Sequence, residues 1–285
     1  MSIKDSIPWQ VKIATKIILS RLSIAYAFWS RLGLFRHGKM GQSNYAYGVF
    51  KQHFDHVKPA EGFVSLELGP ADSLASMLLS KAFGGSASYL VDAGDFAQRG
   101  LSFYRNLAGF LSEKGLAVPN VRNIASLEEL LNCCESQYLT NGLSSLRTIP
   151  DQSVDFIYSH AVLEHVRAAE FLNTMQELRR VIRNSGACSH RVDLQDHIGG
   201  ALNNLRFSEQ FWESGFMSNS GFYTNRIRFS EMMDLFRRAG FDPHVVKVDR
   251  WDALPTAKAR LSDRFRYLPE DDLLISGFTV VLRPV

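Results

Sequence analysis

The stretch Phe63-Val64-Ser65-Leu66-Glu67-Leu68-Gly69-Pro70-Ala71-Asp72-Ser73 constrains this chain more than any other. A short apolar run passes a carboxylate, Glu67, and enters a small-residue turn. The turn opens a helical pattern at Leu74, Leu78, Leu79 and Ala82, which stops at Gly84-Gly85. Strand, tight turn and helix N-terminus in succession offer backbone N–H groups to the polar part of a ligand. Nineteen residues after Ser73 a second apolar run, Tyr89-Leu90-Val91, ends in Asp92. A carboxylate at that place can accept the hydroxyls of a ribose, so the pair points to an adenosine cofactor.

From Phe63 onward strand and helix patterns alternate. Strands are expected at 63–68, 87–91, 120–124, 154–158, 186–192, 243–249 and 275–283. Helices are expected at 73–83, 95–113, 126–133, 168–182 and 230–239. Such alternation implies an α/β fold, a Rossmann-like, mostly parallel seven-stranded sheet with helices on both faces. The segment between the final two strands is polar and contains proline, which favours an antiparallel last strand over another crossover. Residues 195–229 break the rhythm. They are rich in aromatics, Asn and Arg, follow a strand's carboxyl end, and read as a lid.

Ahead of this domain, Trp9, Ile13 and Ile17 recur at helical spacing, and a second helix is expected over Tyr45–Phe54. The reading is an N-terminal helical cap, 1–58, on a domain spanning 59–285. Residues 1–40 carry Lys4, Lys12, Lys16, Arg21, Arg31, Arg36 and Lys39 against Asp5, a charge of +6 within a total of +3. A basic apolar face of this kind would suit peripheral contact with an anionic membrane. No stretch of eighteen residues lacks a charge, which argues against a transmembrane helix. Without a continuous basic run or a basic-aromatic ladder, nucleic acid is not expected as a partner. Cys133, Cys134 and Cys188 form no CxxC pattern, and the expected location is the cytoplasm or the inner membrane face.

A third signal runs through Pro150-Asp151-Gln152-Ser153-Val154-Asp155-Phe156-Ile157-Tyr158-Ser159-His160-Ala161-Val162-Leu163-Glu164-His165-Val166. A turn leads into a buried strand that delivers a loop at its carboxyl end. With the Glu67 turn and Asp92, this run resembles the class I S-adenosylmethionine-dependent methyltransferases, in particular their bacterial small-molecule members with a Val-Leu-Glu-His-Val motif. The resemblance covers roughly residues 60–285. It includes Ala239-Gly240-Phe241 before the sixth strand and Gly277-Phe278-Thr279-Val280-Val281-Leu282-Arg283 in the last. It implies that Glu67 and Gly69 sit by the cofactor's amino-acid part, with Ala71 and Ser73 in the same turn, that Asp92 takes the ribose, and that Ser159 and His160 lie near the sulfur. The acidic residue that such proteins often carry after the third strand is replaced by Leu143, so Asn141 or backbone groups would read adenine. His165 is expected to pack behind its loop.

Ser189-His190-Arg191-Val192-Asp193-Leu194-Gln195-Asp196-His197 leaves the fifth strand on the same edge. These residues could form a base dyad, hold a divalent metal or anchor the loop. Transfer to an alcohol requires loss of its proton, which a histidine oriented by a carboxylate can take. The expectation is His197 as base with Asp193 or Asp196 as orienter, His190 in reserve, and no metal ligand assigned. Trp212, Tyr223, Asn225, Arg226 and Arg228 would form the substrate wall for a small molecule or glycan, or fasten the lid. Two other functions share these features: a nicotinamide-dependent oxidoreductase, and a non-catalytic membrane-associated binding protein.

Overall fold

The computed structural model describes residues 40–197, 199–221 and 223–285. The expected helix around Trp9–Ile17 and all but the last residue of the expected membrane contact, 1–40, lie outside the described residues. Seven strands form one sheet: β1 (Val64–Leu68), β2 (Ala87–Val91), β3 (Ser136–Leu139), β4 (Val154–His160), β5 (Ile182–Asp193), β6 (Phe241–Arg250) and β7 (Ile275–Pro284). Their order is β3-β2-β1-β4-β5-β7-β6. Only β7 runs against the rest: it pairs antiparallel with β5 (Asp193↔Gly277) and with β6 (Asp249↔Gly277). Strand order reverses between β1 and β4, so their carboxyl ends frame the switch point at which ligands bind in open sheets.

Helices α1 (Ser43–Val57), α2 (Ala75–Ala82), α3 (Ser102–Glu113) and α4 (Leu127–Cys133) cover one face with Phe156 and Tyr158 beneath them. Helices α5 (Ala168–Val181) and α6 (Phe229–Arg238) cover the other, over Leu66, Ile157, Cys188 and Val192. Alternate strand residues therefore feed alternate cores. Phe50 of α1 packs edge-on against Phe156 and Tyr158, with ring centroids 5.9 and 5.6 Å away, which fastens α1 to the sheet.

The third strand is displaced from its expected place: it is Ser136–Leu139, and 120–124 is irregular. Ser126 caps α4 by accepting from the Glu129 N–H at 3.1 Å, while Glu129 accepts from Ala125 N–H at 2.8 Å. The capped helix completes the crossover, so the next extended residues supply the strand. Among the described residues, no helix is long and apolar enough to cross a membrane.

Candidate functional site

Gly69 ends β1 with φ +73, and its N–H donates to Val91 O at 2.8 Å. A Cβ at Gly69 would meet both methyls of Val162 at 2.6 Å, so glycine is required by conformation and by contact. Ala71 also adopts positive φ, 54, and its N–H donates to Asp92 Oδ2 at 2.8 Å. Ala93 N–H donates to Asp92 Oδ1 at 2.7 Å, and Gly142 N–H donates to Asp92 O at 2.7 Å. One carboxylate thus ties the β1–α2 turn to the end of β2, and its backbone holds the loop after β3. Ser73 Oγ is buried in this turn without a hydrogen-bond partner. Asn141, in the loop after β3, is exposed, and its N–H donates to Ser145 Oγ at 2.9 Å.

Glu67 lies deeper. It is buried beside its register partner Tyr158 and accepts a hydrogen bond from Ser76 Oγ of α2. Burial lifts its carboxyl to about 7, against the pull of Ser76. The side chain therefore buttresses the turn from behind.

Ser159 and His190 are register partners on β4 and β5, both buried, with Oγ and Nδ1 2.7 Å apart. Burial lowers the His190 pKa to about 3, and its Nε2 has no partner. This pair sits inside the sheet, away from solvent. His160 points to the opposite face, where its Nδ1 lies 3.2 Å from His53 Nε2 of α1. Ser189 Oγ lies 2.8 Å from His53 Nδ1 and 3.1 Å from His56 Nδ1. The sequence reading missed His53 and His56, whose one-turn spacing on α1 was the available signal.

At the carboxyl end of β5, Asp193 Oδ1 accepts from Gln195 N–H at 3.0 Å. Asp196 is buried and closes its own loop: Oδ1 accepts from Gly199 N–H at 2.6 Å, and Oδ2 from Asn203 N–H at 2.6 Å. His197 leaves this loop toward β4. Its ring centroid lies 4.7 Å from that of His165, which is exposed and pairs through Nδ1 with Tyr223 O at 2.9 Å. Between strand and lid is a cleft lined by Glu164, Asp193, Gln195, Asn204, Thr224 and Asn225, among others. Burial, with Asp193 nearby, raises Glu164 to about 8, although backbone N–H groups of Glu164 and Asp193 favour its anion. Glu164 was not among the site residues read from the sequence; its place beside His165 directly after a strand was the only hint.

The residues expected in the substrate wall are tied into the chain. Trp212 Nε1 donates to Thr224 O at 2.7 Å, and Asn225 Nδ2 donates to Leu163 O at 2.8 Å and Val166 O at 2.9 Å. Tyr223 OH donates to Glu213 at 2.7 Å. Arg226 lies between Trp212 and Phe265, 5.3 Å from each ring, and pairs with Glu209 at 2.8 Å. Arg228 is buried and donates to the carbonyls of Leu194, Asp272, Leu273 and Ile275. Asn225 and Arg228 thus bind carbonyls outside residues 195–229, whereas the bonds of Trp212 to Thr224, Tyr223 to Glu213 and Arg226 to Glu209 brace that segment from within.

Residues 111–189 match a family model described as a methyltransferase domain. The match takes in the Val162–Val166 motif and stops short of the Gly69 turn and Asp92. No curated protein matches the chain. Among solved structures, the chain is similar to an S-adenosylmethionine-dependent methyltransferase of Methanosarcina mazei, at 14% identity over 83% of this chain and 97% of that one, with a TM-score of 0.47. It is similar to phosphoethanolamine N-methyltransferase 2 of Haemonchus contortus, at 12% identity over 84% and 53% of the two chains, with a TM-score of 0.47. A third is an arsenic(III) S-adenosylmethionine methyltransferase of Chlamydomonas reinhardtii, at 15% identity over 79% and 65%, with a TM-score of 0.45.

Proposed function

We propose that this chain is an S-adenosylmethionine-dependent methyltransferase acting on a hydroxyl of a small molecule or a glycan. The carrying observation is the junction at the switch point, where the Gly69 turn, Asp92 and the Val162 loop meet. The match of residues 111–189 to the methyltransferase-domain model supports the same reading from sequence.

The residues present fit the cofactor. Each oxygen of the Asp92 carboxylate accepts one backbone N–H, which holds the carboxylate at the end of β2, and a carboxylate oxygen can accept more than one donor, as the ribose hydroxyls require. The unpartnered Ser73 Oγ and the glycine at 69 leave polar backbone and a hydroxyl for the amino-acid part. S-adenosylmethionine, when bound, supplies a methyl group on a sulfonium that is its own leaving group. The protein has to align the acceptor, exclude water and take a proton. The lid, fastened by Arg226 and Arg228, excludes water. His197, whose ring nitrogen lies within 4.8 Å of a carboxylate oxygen of the cleft-lining Glu164, would accept the acceptor's proton, and its partial exposure supports it over the buried His190. The helix α1, seated over β4 and β5, closes the opposite face and supports the division into a cap, 1–58, and a catalytic domain, 59–285.

Titration calorimetry with S-adenosylhomocysteine tests the reading. The wild type is expected to bind, and Asp92→Ala to lose ~1.5–3 kcal/mol of binding from charged hydrogen bonds. Asp92→Asn, which keeps an acceptor toward the backbone, separates lost binding from a loosened turn. No binding by the wild type, with binding of a nicotinamide dinucleotide instead, would move the chain to the oxidoreductase reading.

A further inference from the structure

Glu164, His165 and His197 bring three ligand atoms together at the edge of the cleft. One carboxylate oxygen and one ring nitrogen from each histidine all lie within 4.8 Å of one another. Glu164 is 2% exposed, and neither of its oxygens has a hydrogen-bond partner of full geometry. A buried carboxylate without such donors is costly, and a proton or a cation relieves it. His165 Nδ1 faces the Tyr223 carbonyl, which can only accept, so Nδ1 carries the hydrogen and Nε2 carries the lone pair. A backbone carbonyl that fixes the tautomer in this way is the usual support behind a metal-binding imidazole.

We propose that Glu164, His165 and His197 form a binding site for a divalent transition-metal cation. Two imidazoles and one carboxylate suit zinc, cobalt or iron better than magnesium or calcium, which prefer all-oxygen sets. Three protein ligands leave at least one position open, as in metal sites that act on a substrate. Bonds of about 2.1 Å in a tetrahedral set place ligand atoms ~3.4 Å apart. The three side chains therefore close by about an ångström, which rotation of the exposed His165 and half-buried His197 supplies. The ligands come from two elements, the loop after β4 and the loop after β5, so the ion would clamp the switch-point loop to the lid's first residues. One consequence rests on the methyltransferase reading: with the ion bound, His197 is a ligand instead of the proton acceptor, and the open position is left for an acceptor oxygen.

The test uses the full chain, stripped with a chelator and titrated with Co²⁺ and Zn²⁺ by calorimetry and visible absorption. The expected result is saturable one-to-one binding with ligand-field absorption in the cobalt form. His165→Ala and His197→Ala should each weaken it about tenfold or more, and His244→Ala, an exposed histidine on β6, should leave it unchanged. Glu164→Gln should weaken it as well, with circular dichroism showing that the fold persists. If Glu164→Gln does not fold, the two histidine variants decide. Absence of saturable binding in the wild type leaves Glu164 as a protonated acid and overturns the site, as does unchanged affinity in both histidine variants. S-adenosylhomocysteine binding measured on the same preparations reads the cofactor separately, so either proposal can fail while the other stands.

Discussion

At the scale of single residues, Gly69 shows how one missing Cβ positions the switch point. Its φ of +73 is unfavourable for an L-residue, and its α-carbon faces both methyls of Val162. Gly69→Ala is expected to cost ~2–4 kcal/mol in chemical unfolding, from strain and overpacking together. Adding Val162→Ala removes the clash and leaves the backbone strain. The double variant should therefore recover part of the loss, and a double-mutant cycle reads that coupling. Additive single effects would mean that the two residues do not touch. The glycine, the turn and Asp92 were legible in the sequence, because turn chemistry and strand spacing are local. That Asp92 spends its first two lone pairs on Ala71 and Ala93 was not legible, because it depends on the register of β1 against β2.

At the scale of elements, the lid is held by two arginines whose charges are spent on the protein. Burial lowers the Arg228 pKa to about 10, and its guanidinium donates to four carbonyls from two segments of chain. Arg228→Met should leave those carbonyls unpaired and cost ~3–5 kcal/mol, read as a lower urea midpoint. A variant as stable as the wild type would return Arg228 to the substrate wall. The lid's aromatic and Arg/Asn composition was visible in the sequence, but its partner was not. Residues 251–274 read as a polar connection, yet Leu261, Phe265 and Leu273 pack there against Leu202 and Leu205. Apolar residues so widely spaced in short helical turns give no periodic signal. The third strand was misplaced for a similar reason. Four residues with one buried position alternate too briefly to stand out, although Asn141 and Leu143 do lie after that strand.

At the scale of the molecule, α1 clamps the sheet through histidines that must stay neutral. Burial is the first cause that lowers His53 well below its ordinary 6.5, followed by His160, His190 and His56; burial also lowers His160, with Arg191 beside it, and His56, against the pull of Asp55. The folded chain refuses protons that the unfolded chain accepts. This part of the stability is whole above about pH 6.5 and is lost as pH falls below it, down toward about 3 for His190. Glu67 acts in the opposite sense: with its folded pKa raised to about 7, its share is whole below 4.5 and is lost as pH rises through 7. Glu164, raised to about 8, acts in the same sense as Glu67, but the four histidines outnumber the two carboxyls, so unfolding free energy should fall from pH 7 to pH 5. His53→Phe should flatten that slope by up to one proton, about 1.4 kcal/mol per pH unit. Parallel slopes in denaturant titrations of the two proteins would show that His53 is protonated in place.

The sequence by itself determined the alternation of strands and helices, the antiparallel last strand, the tight turn at Gly69 and the carboxylate that ends β2. Each is encoded in residues that are neighbours along the chain, through periodicity, turn preference and capping. Only the tertiary structure decided which polar groups meet. It sent His190 into the sheet interior, spent Asp196 on its own loop, and carried His197 across to Glu164 and His165. Those outcomes depend on strand order and on which face each side chain takes. A shift of one residue in register exchanges the two faces, and no local pattern in these strands fixes that register.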